Sequence, residues 1–186
     1  MFYKLKITLT GIRPPIWRRV ILPDVATLDD LHSIIRVCFG WDGSHCHAFR
    51  INGRVHGPFS TFGSDDGKAD ADPYIELRRL IRSPKTKFHY RYDFGDEWLH
   101  EIILEAVVPE NTAPSVVACL KGARACPPDD TGGIYRYAYL IECLKRKEGE
   151  EYIEARDWLG EDFDPEAFDL DGINKCLAHA CRNWIP

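Results

Sequence analysis

Between Lys87 and Phe94 the chain alternates without a break, placing Phe88, Tyr90, Tyr92 and Phe94 on one side and Lys87, His89, Arg91 and Asp93 on the other. Successive side chains of extended backbone point to opposite sides of a sheet, so this pattern predicts a strand with one dry and one wet face. A helix would scatter the four rings around its circumference. The same period runs through YKLKITLT, where Tyr3, Leu5, Ile7 and Leu9 oppose Lys4, Lys6, Thr8 and Thr10. After Gly11 and the Pro14-Pro15 pair, IWRRVIL reads as a second strand ended by Pro23. HAFRI and RVHGP flank Asn52-Gly53, the dipeptide that most readily supplies the two positive φ angles of a type I′ turn. Gly95-Asp96 turns the aromatic strand into WLHEIILEAVV, which completes a third antiparallel pair.

Helical periods fill the rest. Thr27 is placed to cap a helix whose apolar positions are Leu28, Leu31, Ile34, Ile35 and Cys38, with Asp29 and Asp30 in its first turn and Gly40 at its close. STFGSDDGKADADP reads as an exposed loop before a short helix, YIELRRLI. Residues 118–133 read as an irregular connection. IYRYAYLIECLKRK, EEYIEARDWLG and PEAFDLDGINKCLAHACRNW then read as helices, the last with Asp164 and Pro165 at N-cap and N1. Hairpins first and helices last predict an α+β fold, with a mainly antiparallel sheet, helices on one face and a helical C-terminal third. At 186 residues the expectation is a single domain over 1–186.

The net charge of −5 conceals an asymmetry: residues 1–60 carry eight Lys/Arg against four Asp, and residues 109–186 carry nine against fifteen acids. The acidic end opposes nucleic acid and the basic end permits it. No apolar run approaches the roughly 20 residues of a membrane span, and the opening segment reads as a strand rather than a signal-peptide core. These features predict a cytoplasmic chain with no membrane partner, and most of its seven cysteines as reduced, buried thiols.

Several separated segments share one likeness: RPPIWRRV, TLDDLHSIIRVCFGW with SHCHAF, YRYDFGDEWLHEI, CLKGARACPPDDTGG, and WLGEDFDPEAFD with INKCL. In this order, over nearly the whole chain, they resemble the plasmid pRiA4b ORF-3-like family. Its members are often labelled passenger proteins of insertion elements, so the resemblance implies a fold and a mobile-element setting more than an activity. Where similar proteins often carry Leu in the SHCHAF block and Glu-Cys in the proline loop, this chain has Cys46 and Asp129, Asp130 and Thr131. A required cysteine at Thr131 is thereby excluded.

Two segments carry the chemistry. The hairpin tip brings Asp93, Asp96, Glu97 and His100 to one turn, and paired antiparallel strands let cross-turn side chains meet. The loop CPPDDTGG, residues 126–133, projects Asp129 and Asp130 beside two glycines. Carboxylates with an imidazole suit a divalent metal ion or general acid-base work. The structural alternatives are a capped turn at the tip and an Asp-rich cap on the helix that follows. His45, Cys46 and His47, with Cys119 and Cys126, lack the ligand spacing of structural zinc. A basic run from Arg78 to Arg91 could meet phosphates, but Phe88, Tyr90 and Tyr92 face away from it and read as core.

Two functions stay open. One is a binding module for a protein or nucleic-acid partner, using a groove beside the sheet and drawing on His45, His47, Arg91, Asp93, Asp96, His100, Asp129 and Asp130. The other is a metal-dependent hydrolase of phosphoesterase or nuclease-like type, with the ion on Asp93, His100, Asp129 and Asp130 and His47 assisting. Catalysis requires those side chains to converge in a pocket; binding needs only an exposed surface.

Overall fold

The computed structural model describes residues 1–57, 72–114 and 116–181. Among them, β1 (Phe2–Leu9), β2 (Ile16–Pro23), β3 (His47–Ile51), β4 (Arg54–His56), β5 (Lys87–Tyr92), β6 (Trp98–Val108) and β7 (Ala118–Ala123) form one sheet in the order β4-β3-β5-β6-β1-β2-β7. Every pairing is antiparallel. Five helices complete the α+β fold: α1 (Leu28–Phe39), α2 (Leu77–Leu80), α3 (Gly133–Leu144), α4 (Glu150–Leu159) and α5 (Leu170–Ala180). None is long and apolar enough to cross a membrane.

The alternation written in the sequence sets the core. Tyr3, Leu5, Ile7 and Leu9 of β1 are buried, as are Phe88, Tyr90 and Tyr92 of β5 and Trp98, His100, Ile102 and Leu104 of β6. On this dry face α1 lays Leu28, Leu31, Ile34, Ile35, Cys38 and Phe39 into the same cluster, each large side chain contributing about 1.5–3 kcal/mol by leaving water. The helix starts at a capping box: Thr27 Oγ1 accepts from the Asp30 N–H, and Asp30 Oδ2 accepts from the Thr27 N–H at 2.7 Å. It stops at Gly40, whose φ of 81° is left-handed. Asn52 and Gly53 turn β3 into β4 with φ of 50° and 78°.

Three expectations need correction. The segment read as irregular contains β7, an edge strand on β2. Its Gly122 marks close packing rather than a break, since a Cβ there would lie 2.6 Å from the Phe168 ring. The last helix begins six residues after Asp164, capped by Asp169, whose Oδ1 accepts from the Gly172 N–H at 2.9 Å. Asp164 and Pro165 sit instead in a turn whose Pro165 carbonyl takes the Ala125 N–H. The helix expected in YIELRRLI shrinks to α2, because the Ile75 carbonyl accepts from Leu28 and the Leu77 N–H donates to Ala26, tying that backbone to the start of α1. Most of the Gly/Asp/Ser-rich loop, and Trp184, lie outside the described residues.

One buried cation joins three parts of this frame. Arg18 of β2 is 3% exposed and turned inward. Its guanidinium donates to the carbonyls of Cys38 at 2.9 Å, Trp17 at 2.9 Å, Ala123 at 2.9 Å and Arg124 at 2.8 Å, and to Cys126 Sγ at 3.0 Å. Phe39 and Phe168 present their rings to it. The start of the 126–133 loop is thereby fixed to β2 and to the end of α1.

Candidate metal centre

Three connections meet at one end of the sheet: α1 to β3, β5 to β6, and β7 to α3. Apolar packing and a few polar clamps explain why. Trp41 is buried, stacks on Tyr92 at 4.7 Å and 14°, and donates its indole N–H to the Pro127 carbonyl at 3.0 Å. The next N–H, of Asp42, donates to Asp129 Oδ2 at 3.0 Å. From the hairpin tip, Asp96 Oδ2 accepts from the Gly132 N–H at 2.8 Å. Gly133 passes so close that a Cβ would stand 2.8 Å from the Asp96 carbonyl oxygen. Thr131 closes the loop on itself by donating to the Pro128 carbonyl.

At this junction His45 stands between two carboxylates. Its Nδ1 is 3.5 Å from Asp93 Oδ2 and its Nε2 is 3.5 Å from Asp130 Oδ1. One ligand atom from each of His45, Asp93 and Asp130 lies within 4.8 Å of the others. Direct ligands sit about 2.0–2.6 Å from an ion, so two donors sharing one can stand about 4–5 Å apart. One imidazole and two carboxylate oxygens suit manganese, iron, zinc or magnesium.

The three ligands differ in setting. Asp93 is buried, and its Oδ1 already accepts from the Gly95 N–H at 2.8 Å, which leaves Oδ2 facing His45. His45 is half-buried, edge-on to the Tyr92 ring at 5.7 Å. Asp130 has a side chain 74% exposed. Asp93 and Asp130 also share a left-handed backbone, with φ of 55° and 58°. Aspartate visits that region more readily than most residues, at a cost of about 1 kcal/mol or more, and such strain concentrates at functional sites.

The remaining candidates from the sequence fall elsewhere. His100 leaves the group: it pairs with Tyr90 across β5 and β6, is 0% exposed, and sits edge-on to Phe39 and Trp41. The backbones of Tyr90 and Trp98 lie near, yet neither ring nitrogen makes a well-aligned hydrogen bond, and burial pushes its pKa down to about 3. The same β6 alternation that buries Trp98 and Ile102 buries His100. Asp129 is a loop anchor on Asp42; burial, with the Asp129 carboxylate adding to it, holds the Tyr92 phenol up at about 12. His47 stacks on His32 at 3.5 Å, with burial holding it at about 4. Arg91 pairs with Glu97 on the other face of the sheet and covers Phe94. Asp96 is the clamp between the two loops. Turn carboxylates point to two of the three connections in the sequence, whereas His45 enters there only as one of eight residues of a binding surface and not in the metal set. Its partners are remote in sequence, and no local spacing brings them together.

A model of the family described as plasmid pRiA4b ORF-3-like protein matches residues 1–172. The uncharacterized protein y4hQ of Sinorhizobium fredii is 32% identical over 183 residues, covering 97% of this chain and 93% of its own length. A protein of unknown function, MM3350 from Methanosarcina mazei, has a crystal structure that superposes with a TM-score of 0.80 at 35% identity, over 92% of this chain and 95% of that one.

Proposed function

Because the chain belongs to the plasmid pRiA4b ORF-3-like family, a membership that carries a fold without an activity, we propose from the site itself that it is a metal-dependent binding module. The single observation behind this reading is the convergence of His45, Asp93 and Asp130 from three separate connections. Asp93 and His45 would form the inner wall of the ion's coordination sphere and Asp130 its outer edge. A divalent ion takes four or more ligands, so three protein donors leave positions open on the exposed side. A carboxylate or phosphate oxygen of a protein or nucleic-acid partner would complete the sphere. Exposure of Asp130 also supports a second reading, metal-dependent hydrolysis, since a water at an open position would be acidified by the ion.

The test is a titration of metal-stripped protein with manganese, magnesium and zinc. An ion that binds only the folded state adds about 2.7 kcal/mol at 100 times its Kd, which raises Tm by about 5–10 °C in a chain of this size. His45→Ala and Asp130→Asn should abolish the rise, and Asp129→Asn should leave it. A flat response of wild type to all three ions overturns the reading. Metal-dependent cleavage of bis-p-nitrophenyl phosphate, lost in the same two variants, would select the hydrolase.

A further inference from the structure

The wet face of the sheet is opposite in sign to the molecule as a whole. Reading straight across five strands, Lys87 of β5 faces Ile103 of β6, Ile103 faces Lys6 of β1, Lys6 faces Arg19 of β2, and Arg19 faces Lys121 of β7. Four of the five side chains in this row are cations. At about 4.8 Å per strand the row is about 19 Å long. Like charges set directly opposite one another destabilise a sheet, and two such pairs adjoin here, Lys6 with Arg19 and Arg19 with Lys121. Lys4 adds a fifth cation one step along β1 on the same face.

Two acids moderate the row without cancelling it. Glu105 holds Arg19 in a two-pronged ion pair at 2.6 and 2.8 Å, and Arg19, Lys4 and Lys6 together keep its carboxyl below the usual range. Glu101 accepts from Lys87 at 3.1 Å. Five cations against two acids leave this strip positive on a chain whose formal charge is −5. Trp17 lies on the same face, half-buried, its ring flanked by Lys6 at 5.3 Å and Arg19 at 5.2 Å. The rings of β5 that interleave with its cations in sequence are in the core, so Trp17 supplies the aromatic surface that they do not.

From this row we infer that the wet face of the sheet binds single-stranded nucleic acid through its phosphates. A strand stacked in a duplex carries a charge about every 3.4 Å along the axis and a stretched single strand spaces its charges further apart, so a 19 Å line of cations meets about three or four phosphates. Single-strand sites of several nucleotides commonly combine such a cationic track with a ring for a base to stack on. Duplex grooves admit a helix or a two-stranded ribbon rather than the face of a broad sheet. A lipid surface calls for apolar insertion, and Ile103 is the one apolar member of the row. The contact needs no metal ion, so it stands or falls apart from the loop-end site.

Fluorescence anisotropy of a labelled 12-nucleotide DNA, measured at low salt with EDTA present, tests the inference. Wild type should bind, with log K falling against log salt at a slope of about −2 to −3, the value for three or four phosphates on a single strand. Lys6→Glu with Lys121→Glu should weaken binding tenfold or more, while Lys147→Glu, far along the chain in the α3–α4 connection, should not. If the double reversal fails to fold by circular dichroism, Lys6→Gln with Lys121→Gln should still weaken binding and flatten the slope. No binding at low salt overturns the inference, as does equal affinity in the charge variants. Equal competition by polyglutamate, by phosphatidylserine vesicles or by duplex of the same length also overturns it.

Discussion

The loop end of the sheet and the layer of rings just beneath it are built from the same residue types and have opposite chemistry. Above, His45 lies half-buried between the carboxylates of Asp93 and Asp130. Below, His100 is sealed among Phe39, Trp41 and Tyr90, and His32 and His47 stack on one another. The partition between them is the stacked pair of Trp41 and Tyr92. An imidazole on the polar side faces carboxylates and can join them in binding a cation. One on the ring side is a neutral shape-filling group, because charging it would strand the charge in a medium of low dielectric. A side chain's role here follows which side of the two rings it lies on.

Acid should break the lower region first. Burial holds His32 at about 3, with repulsion from His47 and Arg36 adding to it; burial likewise holds His47 at about 4 and His100 at about 3. Their folded pKa values lie below the unfolded value near 6.5, so the stability they contribute is present above about pH 6.5 and is lost as pH falls toward 4 and 3. Each group costs about 1.4 kcal/mol per pH unit within that window. Urea unfolding at pH 5 should therefore show a loss of about 4–6 kcal/mol against pH 7, after a discount for the partial exposure of His47. A stability independent of pH between 7 and 5 would refute the neutral, buried state of the three rings.

Removing the partition is the next largest expected effect. Trp41→Ala deletes a buried indole and its bond to Pro127, and should cost about 3–5 kcal/mol in denaturant unfolding. It should also erase the metal-induced Tm rise, because the 126–133 loop loses its seat.

The sequence announced some of this and withheld the rest for physical reasons. Period-two alternation fixed β1, β5 and their dry faces, the Thr27 and Asp30 box fixed the start of α1, and Asn52-Gly53 fixed a turn. Each signal is local, and each was sufficient. The burial of His100 was also local, written in the spacing of Trp98, His100, Ile102 and Leu104, yet the adjacent turn drew it toward Asp93. The strand at β7 was hidden because Gly122 reads as a breaker when its real requirement is the Phe168 ring above it. His45 could be put on a binding surface but not in the metal set, since its approach to Asp93 and Asp130 exists only once three distant connections have met.

Asp96→Ala removes the bond to the Gly132 N–H, which in an accessible setting is worth about 1 kcal/mol. Isothermal titration should show metal affinity falling by more than stability does, because Asp130 is held in place through that loop. The smallest effect on the metal response should come from His100→Leu. Replacing an imidazole without well-aligned partners by an apolar group of similar size should change stability by less than about 1.5 kcal/mol in either direction. The metal response should survive intact, in contrast to His45→Ala.

Arg18 sets a limit on how this end of the molecule can breathe. Its guanidinium is buried away from water, and the acceptors around it come from the end of α1, the edge strand β7 and the first residues of the 126–133 loop. Pulling any one of them away leaves a charge short of acceptors in a dry interior, so their opening is coupled into one subglobal unit. The loop that carries Asp130 therefore has no private fluctuation of its own at its root. Its local free energy of opening is that of the sheet edge.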